Sequence, residues 1–364
     1  MNGGKLNIRL LRLKYRLDRT FKRLAGRQTY LQMSSLTGFY GNIWEEAARA
    51  LSAEFNEIAH GYWEVANGAN RTFINNYMVQ IDDPVILNVA GNKALCYRII
   101  RDKGLPVPDH AGYTLNELEK AEDFIRRFDA GYFVIKPSTG TSGARGITTH
   151  IESFKECVRA SVLASLFSDE ILIERLIPGE SYRLLVLDGE MILASRRTGV
   201  WVEGDGSSTV MGLLQKEQGR GAPAGRVRYT DSDRDLIATL SGQGLTPSSV
   251  IEKGGKALAK SVKGRAGGYS EVRTAYDEDA TKLICAGLKK EAERAAAALN
   301  SRFAGIDIVT MNPSLPLAES RGAIVEVNTT PGLHHHYNLS GNGPSAQPAV
   351  QVLKYLLRAK NAAS

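Results

Sequence analysis

The sequence predicts an α+β fold arranged in several lobes. Three observations carry this: strand patterns dominate from about residue 132 to 195, an Ala-rich helical pattern near 278–300 runs into two strand patterns at 305–311 and 322–328, and no internal repeat or low-complexity tract points to a solenoid or a fibre.

Taken in order, the elements begin with a basic arm. Residues 5–27 hold Lys5, Arg9, Arg12, Lys14, Arg16, Arg19, Lys22, Arg23 and Arg27 against the single acid Asp18, a charge of +8, which leaves the rest of the +7 chain at −1. Leu10, Leu13, Leu17, Phe21 and Leu24 recur at spacings of three and four, so the arm reads as a basic amphipathic helix over residues 1–28. Such a stripe docks on the body or a second subunit, or attaches the chain to an anionic membrane surface or an acidic partner. Its Arg-rich composition also suits a transit peptide, although nothing later in the chain calls for an organelle. Residues 29–87 form a small N-terminal α/β unit, with a helix at 43–51 and strands at 62–65 and 71–74 around the Asn67-Gly68 turn. Tyr40, Trp44, Tyr62 and Trp63 read as its core rather than as the frame of a ligand.

A helix at 93–103 is stopped by Gly104 and Pro106, and one at 115–128 ends before a strand at 132–135. Strands follow at 171–175, 182–187 and 190–195. The interval 204–268, rich in Gly, Ser and charge, reads as an insertion with mobile loops and helical pieces near 208–217 and 232–240. The chain closes with a helix near 347–359.

Composition narrows the function classes. A chain of 364 residues, 43% hydrophobic and 23% charged, can bury the cores of two or three domain-sized units. Cys96, Cys157 and Cys285 stand far apart, which argues against a disulfide framework, a zinc ribbon or an iron–sulfur site and for a reducing compartment. No apolar run reaches the roughly 18 residues of a membrane span and no secretory signal opens the chain, so the expectation is a soluble cytoplasmic protein. With the body near neutrality, nucleic acid is not an expected partner.

Three clusters carry chemistry. Val134-Ile135-Lys136-Pro137 runs into a loop from Ser138 to Gly146 that holds Gly140, Ser142 and Gly143. A strand Lys followed by Gly, Ser and Thr offers converging amides and a cation to phosphates; the alternative is an ordinary flexible hairpin. It is no P-loop, because the Lys precedes the glycines. The second cluster is Asp307 within an apolar strand, with Glu326 and Asn328 two apart in another and so on one face. Hard oxygen donors of this kind suit Mg²⁺ that completes its shell from nucleotide phosphates, unless some of them point to solvent from an edge strand. The third is the strand 171–175 ending near Glu174, an apolar connector at Leu176 and Ile177, and the Pro178-Gly179 turn, which could seat a purine.

In this order the three clusters resemble the ATP-grasp superfamily, and within it the ATP-grasp part of cyanophycin synthetases. That likeness extends through residues 182–186, 202–209 and 328–333 and covers roughly residues 86–358. The resemblance implies an ATP-grasp domain over 88–360, with a central lobe of about 107–178 and a C-terminal lobe of about 179–360. It implies an enzyme, a ligase in which ATP phosphorylates a carboxylate and an amine attacks the acyl phosphate. Carried over by position, Lys93 and Lys136 resemble the phosphate-contacting lysines, and the loop with Ser138, Gly140, Ser142, Gly143 and Gly146 the flap over the nucleotide. Glu174 would meet adenine with backbone at Leu176 and Ile177. Asp307, Glu326 and Asn328 match metal ligands for two Mg²⁺, with Mn²⁺ as a substitute, Glu326 bridging. Arg197 aligns with an arginine facing the transferred phosphate or the acyl oxyanion, which makes Arg197 and Lys136 the catalytic candidates.

The departures are specific. Asn92 stands before Lys93 where an Asp is usual. Ser181 replaces the acid that commonly holds the ribose, so Glu180 takes that expectation. Gly305 stands where some relatives carry an Arg, which puts weight on Arg197. The insertion around 262–268 differs from the cyanophycin synthetase sequence. With fewer than 90 residues before the match and little after it, the expectation is a stand-alone ligase, homo-oligomeric, joining an amino acid or short peptide to a small carboxylate. The alternatives are a non-catalytic ATP-binding protein tethered by its arm and a phosphotransferase on the same fold. His334, His335 and His336 are consecutive and cannot all face one ion on a regular element; His336 reads as a substrate contact.

Overall fold

The computed structural model describes residues 7–24, 33–140, 145–218, 230–231, 233–262, 277–337, 339 and 346–358, with backbone alone at 18–24, 33–35, 217–218 and 234. Ser142, Gly143 and most of 262–268 lie outside them.

The chain opens with α1 (Ile8–Leu24) and α2 (Met33–Ala50). On α2, Leu36, Tyr40, Ile43, Trp44, Ala47 and Ala48 recur at helical spacing and are all buried. They cover an antiparallel meander of β1 (Glu54–Ala59), β2 (Tyr62–Asn67), β3 (Asn70–Asn75) and β4 (Met78–Val79). Asn67 pairs with Asn70, and Gly68, at φ +59°, opens the two-residue turn between them. Period two turns Trp63, Val65 and Ile74 inward. Tyr40, Trp44 and Trp63 belong to this core as expected. Tyr62 does not: it alternates to the outer face and is 51% exposed.

α3 (Pro84–Gly91) and α4 (Lys93–Asp102) lead to a second sheet. Asn92 caps α4 by accepting from the Leu95 N–H at 3.1 Å, so the amide does the capping work of an Asp. The second sheet has the order β5-β8-β6-β7, from β5 (His110–Tyr113), β6 (Phe133–Pro137), β7 (Thr148–Ile151) and β8 (Ile171–Arg175). α5 (Leu118–Arg126) and α6 (Phe154–Ala164) pack against it through Ala121, Phe124, Cys157, Ala160 and Ala164. α6 begins with a capping box between Ser153 and Glu156.

The third sheet places the site. It contains β9 (Glu180–Leu187), β10 (Glu190–Arg197), β13 (Glu278–Asp279), β14 (Phe303–Thr310) and β15 (Ala323–Thr329), in the order β13-β10-β9-β14-β15. Between them in the chain come β11 (Val200–Glu203), α7 (Val210–Gln218), α8 (Arg234–Ser241) and β12 (Lys256–Lys260), and then α9 (Ala286–Ala298). One face of the sheet is apolar, with Tyr182, Leu184, Val186, Ile306 and Ile308 against Leu288, Ala292 and Ala295 of α9. The other face is divided. Leu185, Leu187, Leu193 and Phe303 join the N-terminal unit's core together with α11 (Pro348–Arg358), while the remainder is polar. Between β15 and α11 lies the short α10 (His334–Tyr337).

Two expectations change. The long helix at 278–300 starts only at Ala286, because Ser195 and Arg196 pair with Asp279 and Glu278 as strand and Cys285 caps the helix that follows. The 204–268 insertion is more than loops. β11 and β12 pair, and Val200, Val202, Val210, Leu214, Leu236, Leu240, Ala257 and Ala259 form a core of their own.

The Pro178-Gly179 turn sits hard against the end of β14. Gly179 has φ +119°, and a Cβ there would stand 2.2 Å from the Thr310 carbonyl oxygen. Gly179→Ala should therefore lower stability by about 1–3 kcal/mol in chemical denaturation. A wild-type midpoint would contradict this packing.

Candidate active site

Cross-strand register assembles the polar patch. Asp307 on β14 pairs with Arg183 on β9 and with Glu326 on β15, and Gly305 pairs with Asn328, so the four polar side chains share one face. Arg197, at the end of β10, pairs with Ser181 and lies on the same face two residues from the Arg183 row. Arg183 Nε and Nη2 donate to Asp307 Oδ1 and Oδ2 at 2.7 and 2.8 Å, a bidentate pair with both side chains buried. Asn328 Nδ2 donates to Gly305 O and Asp307 Oδ2, each at 3.4 Å. Gly305 makes room: a Cβ there would come within 3.5 Å of Arg183 Cδ and 3.1 Å of Pro331 Cβ. The space beside Gly305 is thus crossed by an Arg from the neighbouring strand.

A bulge joins this sheet to the second one. Asp307 faces Glu326 and Ile308 faces Ile324, which leaves Val325 without a ladder partner. Its carbonyl accepts instead from the Tyr97 hydroxyl at 2.5 Å and from Lys136 Nζ at 3.3 Å. Lys136 Nζ also donates to Tyr97 Oη at 2.7 Å and pairs with Glu174 Oε1 at 2.6 Å, with Lys136 and Glu174 both buried. Lys93, at the first turn of α4, reaches Glu326 Oε1 at 3.5 Å, and its backbone N–H donates to Ser138 O at 3.0 Å. The α4 N-terminus, the Gly-rich loop and β15 therefore meet at one place. Burial, with Glu174 and Glu326 nearby, holds the Tyr97 hydroxyl protonated well above its usual range. The Cys96 thiol is pushed up to about 12, chiefly by burial and then by Glu326, which disfavours its thiolate.

The remaining expected residues are placed as follows. Ser138 is buried at the mouth of the loop; Gly140 and Gly146 take φ of +73° and +76°, and a Cβ on Gly146 would clash with Phe167 and Pro137 at 2.7 and 2.9 Å. Leu176 and Ile177 are half-buried, and the Leu176 N–H is already given to Tyr132 O at 2.8 Å. Glu180 is exposed and turned with Tyr182 to the face opposite Arg183. There it accepts from the Tyr182 hydroxyl at 2.7 Å and pairs with Arg196 at 3.4 Å. Glu174 meets Lys136 directly.

Of the three histidines, His334 Nδ1 lies 2.5 Å from the Tyr40 hydroxyl and His335 packs beside it. His336 is fully buried, and neither ring nitrogen has a hydrogen-bond partner among the described residues. Burial, then the Arg183 and Arg197 cations, hold its pKa down to about 3 against the pull of Asp307 and Asp279. An unfolded histidine takes a proton near 6.5, so this group favours the native state above that pH. Its contribution, up to roughly 5 kcal/mol, is lost as pH falls from about 6.5 towards 3. His336→Gln should flatten the decline in denaturation midpoint between those pH values; curves parallel to wild type would contradict it.

The donor set suits a hard cation. Asp307 and Glu326 supply carboxylate oxygens, and Asn328 keeps Oδ1 as an acceptor because its Nδ2 is turned to Gly305 and Asp307. Among the described residues no three His, Cys, Asp or Glu side chains converge into an all-protein cage. Two carboxylates and an amide are what Mg²⁺ takes when phosphate oxygens and waters complete its shell. Sequence reasoning did not assign Arg183 or Tyr97. An Arg inside the apolar run 182–187 was the available signal for the first; nothing in the sequence links Tyr97 to Val325.

No protein-family model matches the chain. Cyanophycin synthetase of Nostoc sp. is 33% identical over 254 residues, covering 69% of this chain and 27% of that protein. The glutathione biosynthesis bifunctional protein GshAB of Enterococcus faecalis is 30% identical over 322 residues, covering 83% of this chain and 39% of that one. The chain thus spans well under half the length of these curated relatives. A bifunctional glutathione synthetase from Pasteurella multocida superposes on 95% of this chain and 46% of its own with a TM-score of 0.60 at 19% identity, which shows a shared fold.

Proposed function

From a chain that has the ATP-grasp fold and sequence relatives among cyanophycin synthetases and GshAB proteins, and so belongs to the ATP-grasp superfamily, we propose an ATP-dependent carboxylate–amine ligase. It joins an amino acid or short peptide to a small carboxylate through an acyl phosphate. The observation that carries this reading is the cross-strand row Arg183–Asp307–Glu326, closed at its far end by Lys93.

Mg²⁺, as two ions or with Mn²⁺ in their place, would be held by Asp307, Glu326 and Asn328 and would offset phosphate charge. Lys93 and Lys136 add fixed cations beside the phosphates. Arg183 orients Asp307 through its two hydrogen bonds, and Arg197 faces the transferred phosphoryl group or the acyl oxyanion. A carboxylate oxygen attacks the terminal phosphorus and ADP leaves. The amine nitrogen then attacks the acyl carbon, the C–O bond to phosphate breaks, inorganic phosphate departs and the amine loses a proton. The loop from Ser138 to Gly146 covers the nucleotide, since the acyl phosphate must meet the amine before water does.

The test is release of ADP and phosphate from Mg-ATP against pooled amino acids and short peptides, with mass spectrometry of each pool. The expected product is lighter by one water than the sum of two pool members. A phosphorylated pool member without a new amide would favour a phosphotransferase, and ATP binding without ADP release in any pool would favour a non-catalytic binder.

A further inference from the structure

Helix α1 carries two apolar stripes, and the body takes one of them. Ile8, Leu11, Arg12 and Tyr15 recur at spacings of three and four and are half-buried where α1 meets α6. Arg12 donates to Ser165 O at 3.3 Å and lies 3.9 Å from Asp169, at the C-terminal end of α6, where unpaired carbonyls favour a cation. The stripe that dominates the sequence faces away: Leu10, Leu13 and Leu17 are 62%, 53% and 61% exposed. The expected docking of that stripe on the body is therefore corrected by the structure, which docks the other side of the helix.

At about 100° per residue, Lys14 lies on one flank of the exposed leucines and Arg9 with Arg16 on the other, all three exposed. The sequence continues the stripe through Phe21 and Leu24, within an arm of net charge +8. A second copy of the chain would bring two such arms face to face, opposed by their like charge. An anionic bilayer accepts both parts of the surface, the leucines among the acyl chains and the flanking cations at the phosphates. No described helix is long and apolar enough to cross a membrane, so the arm would lie on the surface.

We propose that α1 is an interfacial anchor that holds the central lobe against an anionic lipid surface through Leu10, Leu13 and Leu17, with Arg9, Lys14 and Arg16 contacting lipid phosphates. This rests on the arm alone and stands whether or not the ligase reading does.

The test is co-sedimentation of the full chain with phosphatidylcholine vesicles with and without phosphatidylglycerol, at low and high salt. Binding is expected only to the anionic vesicles and should weaken with salt. Arg9→Gln/Lys14→Gln/Arg16→Gln should reduce it by roughly fivefold per cation and so about a hundredfold together. Leu10→Ser/Leu13→Ser/Leu17→Ser should reduce it by at least about tenfold, with the denaturation midpoint kept in both variants. Absence of binding to anionic vesicles would overturn the proposal, as would full binding by the leucine variant. It would be overturned equally by a dimer that the leucine substitutions dissolve, or by retention on an acidic polypeptide in preference to vesicles.

Discussion

Asp307→Asn should lose turnover and stability together, whereas Glu326→Gln should lose turnover with a smaller loss of stability. Both carboxylates are offered to the cation and phosphates, and removing either charge should lower ADP release by about 10²–10³-fold. Their surroundings differ. Asp307 pairs with Arg183 through side chains that are 4% and 7% exposed, so the Asn variant withdraws a carboxylate charge from a buried guanidinium, at a cost of about 3 kcal/mol. The Glu326 side chain is 31% exposed and lies 3.5 Å from Lys93, whose side chain is 6% exposed, so the Gln variant should cost about 1 kcal/mol, less than Asp307→Asn. Equal denaturation midpoints for the two variants would remove the structural role of the Arg183–Asp307 pair, and wild-type turnover in either would remove the metal assignment.

The second large effect concerns Lys136 and Glu174. Lys136→Met strands a buried Glu174 carboxylate and withdraws a donor from the Tyr97 hydroxyl and the Val325 carbonyl, so it should destabilise by about 3–5 kcal/mol. Adding Glu174→Gln removes the orphaned charge and should restore stability to within about 1 kcal/mol of wild type. Turnover should stay lost in the double variant, because the cation beside the phosphates is still missing. Recovery of both stability and turnover would show that the pair serves folding alone; recovery of neither would mean that Glu174 is not what the Lys136 charge balances.

The β-strands that position the site were legible because their apolar runs are long and bounded by turn residues. Residues 171–175 coincide with β8, and the pattern at 305–311 falls within two residues of β14. The shared face of Glu326 and Asn328 followed from period two. What lay beyond reach was long-range register. The partner of Asp307 lies 124 residues away on β9, and nothing local in the sequence pairs them. The bulge at Val325, which brings Lys136 to the third sheet, likewise depends on the mismatch of two strands. α6 was missed for another reason: Cys157, Val158 and residues 160–164 are buried on nearly every side, so no amphipathic period marks the helix, although Ser153 and Glu156 spell its cap. In α1 the period identified a helix but not which of its two stripes meets the body. Arg12, reaching the end of α6, marks that side, and its partners are more than 150 residues away.

The most direct test of the acyl-phosphate account follows oxygen. Amino acids and peptides carrying heavy oxygen in their carboxylates are supplied with Mg-ATP, and the released phosphate is weighed by mass spectrometry. Attack of a carboxylate oxygen on the terminal phosphorus, followed by displacement by an amine, must leave one heavy oxygen in each phosphate released and a new amide in the same pool. ADP formed with unlabelled phosphate, or AMP in place of ADP, would contradict it.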